Sequence, residues 1–165
     1  MESHFKAAGH AVHPMLIVFP LGLLATATIF DGIRAATHER RWAEVGHYML
    51  GAGVVSGLVA AVPGTVDYLA IRENTRAKRI GLLHGIGNVI VTGMFAASWL
   101  ARRDNPGRPG PGAIGLSVGG TALALVTAWL GGELVERLGI GVDDGAHMDA
   151  PNSLSDRPAT DQMAA

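Results

Sequence analysis

The sequence predicts an all-α fold, a four-transmembrane-helix bundle with short loops and a disordered C-terminal tail, and two observations carry that expectation. The 165 residues are 48% hydrophobic and only 16% charged, with positive mean hydropathy. The 13 basic and 14 acidic residues are also unevenly placed: none falls in Pro14–Phe30, Val45–Val66, Ile80–Ala101 or Pro109–Gly132, windows of 17, 22, 22 and 24 residues. Crossing hydrocarbon takes roughly 20 apolar residues, whereas a soluble helix of that length needs a charged face. Helix is the workable state, because in lipid every backbone N–H and C=O must be satisfied within the segment. The roughly ten-residue alternation of a membrane barrel is absent.

Residues 1–12 form an N-terminal lead, 13–138 the transmembrane domain, and 139–165 an acidic tail too poor in apolar residues to order itself. The spans fall at about 14–35, 45–71, 80–101 and 112–135. In span one, Pro14 suits a first helical turn and His13 its N-cap. Pro20 should kink the helix and release the carbonyl of Leu16. The segment HERRWAEVGH reads as loop one, with Arg40, Arg41, Trp42, His47 and Asp31 as interfacial anchors. Span two sets Gly53, Gly57 and Ala61 four residues apart, a small-residue stripe that lets a neighbour approach, and Pro63-Gly64 should bend its far end. Loop two, RENTRAKR, holds four basic residues in eight; loop three, ARRDNPGRPGPG, is a flexible turn. Span four is again rich in small residues and ends at Glu133. Beyond the glycine spacings no internal repeat is legible.

A formal charge of −1 without a long basic stretch argues against a nucleic-acid partner. The absence of cysteine excludes disulfides, thiolate iron–sulfur ligation, Cys-type zinc sites and covalent haem attachment. No hydrolase or nucleotide motif is present, so the chain does not read as an enzyme by itself. A basic n-region ahead of span one is also lacking, which makes it a retained span. Seven Lys and Arg residues lie on the side shared by both termini and loop two, against six on the other (Arg34, Arg40, Arg41, Arg102, Arg103, Arg108). The density of loop two points to cytoplasmic termini.

With both termini on one side, the start of spans one and three and the end of spans two and four share a leaflet. His10, His13, Asp67, His84, Asn88 and Glu133 all fall there. His84 lies about 6 Å below Ile80 at ~1.5 Å per residue, with Asn88 one turn deeper on the same face. Ionisable groups at that depth are costly and usually face the bundle interior. Plainer roles compete: His13 as a cap, His10 as a solvated histidine, Asp67 paired with Arg72, His84 hydrogen-bonded to Asn88 or a carbonyl. Histidines and carboxylates from several helices are also the donors of nitrogen/oxygen metal sites and of axial haem ligation. The metal-ligand candidates are therefore His10, His13, His84, Glu133 and Asp67, and the cofactor-binding candidates His13, His84 and Asn88. The spacing does not choose between b-type haem and a transition metal.

The stretches GHAVHPMLIVFPLGLL, AAVPGTVDYLAI, TRAKRIGLLHGIGN and WLGGELVERLGIGV, spanning Gly9 to Val142, together resemble the prokaryotic membrane family domain of unknown function 2231. The resemblance implies a four-span protein of a prokaryotic inner membrane. Some relatives are joined to a Rieske-type iron–sulfur domain, which implies electron transfer. Its motifs fall on His10, His13, Asp67, His84, Asn88 and Glu133; relatives can carry histidine where this chain has Glu133, and often another near Leu138, where this chain has none.

Three functions follow as expectations. The first is a membrane redox or metal-binding module, with haem or a transition metal between His13 and His84 and a membrane electron-transfer partner. The second is a non-catalytic accessory or scaffold protein, a homo-oligomer or a partner-bound subunit whose polar cluster is structural. The third is an ion or proton pathway, handicapped by the lack of a deep charge in the opposite leaflet.

Overall fold

The computed structural model describes residues 1–155 and 157–162. A two-stranded hairpin, β1 (Lys6–Ala7) with β2 (His10–Ala11), leads into α1 (Val12–Leu16) and α2 (Val18–Thr37). The hairpin turns on two residues, Ala8 and Gly9, both with positive φ, the tight-turn geometry that suits paired strands. Then come α3 (Arg40–Ala70), α4 (Arg76–Ala101) and α5 (Pro111–Gly132), which ends in a π-turn over Glu133–Arg137. The tail beyond Gly139 contributes turns and, at Ala159–Gln162, one 3-10 turn.

Four helical segments, Val12–Thr37, Arg40–Ala70, Arg76–Ala101 and Pro111–Arg137, are long and apolar enough to cross a bilayer. Their outward faces are apolar, with Val89 73% and Leu125 70% exposed, surfaces that only lipid solvates cheaply. The core is small: Leu24, Ala27, Leu50, Val54, Val91 and Phe95.

Several boundaries differ from those expected. What reads as loop one is the first two turns of α3, and the connection from α2 is only His38 and Glu39, with His38 at φ 60° ending α2. Charged residues in a helix's first turn sit at the interface, so a search for uncharged windows trims them. The same holds for α4, which starts at Arg76, N-capped by the Thr75 hydroxyl accepting from the Lys78 amide at 3.1 Å. The expected break in span one falls at Ile17, one residue past Leu16, while α3 runs through Pro63 without interruption.

The contacts also reveal a repeat that the sequence hides. His13 and His84, Leu24 and Phe95, Ala27 and Ser98, and Asp31 and Arg102 each stand 71 positions apart. On the following helices Gly46 and Ala113, Gly53 and Gly120, Ala60 and Thr127, and Gly64 and Gly131 each stand 67 apart. Counterparts make counterpart contacts. A Cβ at Gly53 would meet Leu24 and one at Gly120 would meet Phe95; one at Gly46 would lie 3.3 Å from the Ala27 carbonyl, while Ser98 donates to the carbonyl of Ala113 at 2.7 Å. The hairpin α2–α3 is thus repeated by α4–α5, the two related by rotation about the bundle axis because their first helices run the same way.

Candidate functional site: a histidine pair between two hairpins

His13 stands in α1 and its counterpart His84 in α4. Their ring centroids are 6.5 Å apart and the rings nearly perpendicular, at 88°. Each is fixed by the partner helix of its own hairpin. His13 Nδ1 lies 2.8 Å from the carbonyl oxygen of Ala60, and His84 Nδ1 lies 2.9 Å from that of Thr127. A carbonyl only accepts, so both Nδ1 atoms carry the proton, and in the neutral rings both Nε2 atoms are lone pairs. Glycine makes each approach possible: a Cβ at Gly64 would fall 2.8 Å from His13 Nδ1, and one at Gly131 3.1 Å from His84 Cε1.

Asn88 completes the His84 side. Its Nδ2 donates to the His84 carbonyl at 2.9 Å, which fixes the amide orientation, and the same nitrogen lies 3.1 Å from His84 Nε2. Asn88 Oδ1 accepts from the Thr127 hydroxyl at 3.0 Å. The second helix of each hairpin therefore positions one imidazole, and Thr127, absent from the expected set, positions two of the three polar side chains. The sequence signal for it is its place 67 residues after Ala60 and four before Gly131.

The other candidates lie apart from this pair. His10 Nε2 is hydrogen-bonded to the Ser153 hydroxyl at 3.1 Å. Asp67, expected to pair with Arg72, instead accepts from the Ser3 hydroxyl at 2.8 and 2.9 Å and from the His4 amide at 2.7 Å, anchoring the N-terminal segment. Glu133 forms an ion pair with Arg76. Among the described residues no three His, Asp or Glu side chains come together in a group that could hold a metal ion. His13, His84 and Asn88 are brought together; His10, Asp67 and Glu133 are each engaged elsewhere.

At the other end of the bundle the structure overturns the reading of Asp31 as an interfacial anchor and of Arg102 as a loop residue. Both are buried, with side chains 1% and 0% exposed, and pair through two bonds of 2.9 and 3.0 Å. The Ser98 and Ser117 hydroxyls accept from the same guanidinium at 2.9 and 3.2 Å. A charge just past an apolar window looks like its boundary; here its partner comes from the counterpart position on the other hairpin. The end of the bundle opposite the histidine pair therefore does hold a buried charged pair.

Outside the spans, electrostatics ties the N-terminal segment to the start of the tail. Lys6 bridges Asp143 and Glu2, which raises the Lys6 ammonium above its ordinary value. The same Lys6 contact, aided by the Asp144 amide, lowers the Glu2 carboxyl. Met1 donates its amino group to the Gly139 carbonyl at 3.0 Å, and Gly141 N–H donates back to the Met1 carbonyl at 2.9 Å.

A family model described as a predicted membrane protein, domain of unknown function 2231, matches residues 9–144, which contain all four long helices and the histidine pair. No curated protein and no solved structure matches the chain.

Proposed function

The chain belongs to the predicted membrane protein family domain of unknown function 2231, and from that premise we propose that it is an integral membrane module whose His13 and His84 bind a metal-centred group, a transition-metal ion or the iron of a b-type haem. One observation carries the reading: both imidazoles spend Nδ1–H on a backbone carbonyl. Metal-binding histidines use this arrangement to fix the tautomer and present Nε2 as ligand. Ring centroids 6.5 Å apart are close enough for one metal at ~2.0 Å from a nitrogen of each ring. Two nitrogen donors suit a centre that brings its other ligands with it, such as haem iron, or an ion content with few. Bound there, the group would supply one-electron chemistry, with a membrane partner as the other half of the couple. This chain's residues hold the imidazoles, exclude water with the apolar core below, and keep Asn88 on His84 Nε2 until a ligand takes its place.

The apolar faces place the chain in a bilayer, and we assign it to a prokaryotic inner membrane with cytoplasmic termini. Pairing Arg102 with Asp31 removes it from the loop cations. Five then remain on the far side, against six on the terminal side even with Arg157 set aside.

A second reading, a scaffold whose polar network only locks helices together, is favoured by the bond from Asn88 to His84 Nε2 and by the separate partners of His10, Asp67 and Glu133. The two separate by experiment. Protein expressed with haem and metals supplied should carry a Soret band or close to one equivalent of metal, lost in both His13→Ala and His84→Ala. Asn88→Ala, which uncovers Nε2, should keep or strengthen binding. Clean protein with neither chromophore nor metal, whose His84→Ala form merely melts earlier, would establish the scaffold instead.

A further inference from the structure

One groove lies away from the histidine pair. It occupies about 680 Å³ where the first helical span, α3 and α4 meet, and its walls include Leu16, Phe19, His47, Gly51, Val59 and Trp99. On α3 it extends from His47 to Val59, about 18 Å of helix at ~1.5 Å per residue. Phe19 (57%) and Val59 (53%) are exposed on the apolar outer surface, so the groove opens to lipid. Its size falls within the roughly 300–1,000 Å³ of small-molecule sites.

The two ends differ in chemistry. At one, His47 lies within the second turn of α3, at the level of the interface where Arg41 stacks on Trp42, and its ring centroid is 6.1 Å from that of Trp99. His47 Nδ1 is buried and has no hydrogen-bond partner among the described residues. Trp99 is held against α3 because residue 51 is glycine: a Cβ there would lie 2.9–3.0 Å from the indole. An indole N–H only donates, and imidazole can donate through one nitrogen, so this end offers neutral donors to acceptor oxygens. The far end, at Leu16, Phe19 and Val59, is apolar apart from the Ser56 hydroxyl, which donates to the Gly53 carbonyl at 3.1 Å. No Lys, Arg, Asp or Glu lines the groove. A phosphate head would therefore meet no countercharge.

We propose that this groove binds a lipid-soluble amphiphile with a neutral, planar, carbonyl-bearing head, of the quinone class, its head beside His47 and Trp99 and its tail running along α3 towards Leu16. The proposal does not rest on the metal reading, since it uses none of the residues of the histidine pair. The test uses the full chain with Trp42→Phe and Trp129→Phe, leaving Trp99 as its single tryptophan, in nanodiscs of neutral phospholipid titrated with a decyl-chain benzoquinone. Saturable quenching of Trp99 is expected, about tenfold weaker in His47→Phe, the equivalent of about one hydrogen bond. Ala52→Phe, which fills the groove, should remove saturation, while Val89→Phe on another lipid-facing surface should leave it unchanged. Quenching that rises linearly as from partitioning, equal competition by decylbenzene, which has the tail without the head, or an unaltered His47→Phe would each overturn it.

Discussion

Replacing Asp31 by alanine should be among the most damaging single changes in the bundle. Arg102 has a side chain 0% exposed and directs two nitrogens at the carboxylate, at 2.9 and 3.0 Å. Without Asp31 the guanidinium keeps only Ser98, Ser117 and a long 3.4 Å contact to the Ala113 carbonyl, all neutral acceptors. Leaving one member of a buried pair uncompensated costs about 3–5 kcal/mol. At about 2–4 °C per kcal/mol for a chain of this size, the apparent Tm should drop by about 6–20 °C. The double change Asp31→Leu with Arg102→Met removes both charges. Ser98 and Ser117 stay satisfied, because their hydroxyls lie 2.8 Å apart and Ser98 also donates to the Ala113 carbonyl. The double variant should therefore melt closer to the parent than either single one does. Circular dichroism at 222 nm on detergent-solubilised protein reads the Tm values of the parent, Asp31→Ala, Arg102→Met and the double variant. A single Asp31→Ala variant within about 2 °C of the parent, or a double variant as unstable as the singles, would refute the reasoning.

Three further outcomes follow from the geometry. Gly64→Leu and Gly131→Leu each drive a side chain into an imidazole at 2.8 and 3.1 Å, and should cost about 1–3 kcal/mol by overpacking, seen as lower apparent Tm values, while Gly85→Leu, with open space at its Cβ, should cost far less. Because the two hairpins repeat each other's contacts, separate chains 1–74 and 75–165 co-expressed in one membrane should co-purify through a tag on either; recovery of the tagged half alone would contradict the repeat. The Glu2 carboxyl is held below its usual range by Lys6, so its contribution to pinning the N-terminal segment is complete above the unfolded carboxylate value and is lost as pH falls through the lowered one. Lys6, held above its ordinary value, contributes fully until strongly alkaline pH. Amide exchange at Phe5 and Val12, corrected for intrinsic rate, should accelerate on acidification and stay flat from pH 6 to 9.

Four spans and the leaflet that collects His13, His84 and Asn88 were legible because lipid imposes a single rule on composition and length. The rule is blind where a charge finds a partner inside. Arg102 follows an uncharged window and so marks its boundary on paper, but Asp31, 71 positions earlier, draws it into the core. Of the eight pairs named above, only His13 with His84, Gly53 with Gly120 and Gly64 with Gly131 keep the same residue at both places; Leu24 against Phe95, Ala60 against Thr127 and Asp31 against Arg102 share a position and differ in chemistry, which hides the duplication from the eye. The separation of Asp67 and Glu133 from the histidines was not legible either. It depends on the N-terminal segment folding back so that Ser3 and His4 reach Asp67, and on the π-turn that sets Glu133 beside Arg76. These are long-range contacts that leave no periodic trace.

The most direct test of the histidine pair as a ligand site is ¹⁵N NMR of histidine-labelled protein in bilayers, assigned with the His13→Ala and His84→Ala variants and titrated in parallel with zinc and with haemin. Before addition both residues should show a protonated Nδ1 and a bare Nε2. With one of the two additions, at one equivalent, the Nε2 resonances of His13 and His84 should shift together while both Nδ1 sites stay protonated. Nε2 signals unmoved by either addition, with shifts confined to His4, His38 or His147, would contradict it.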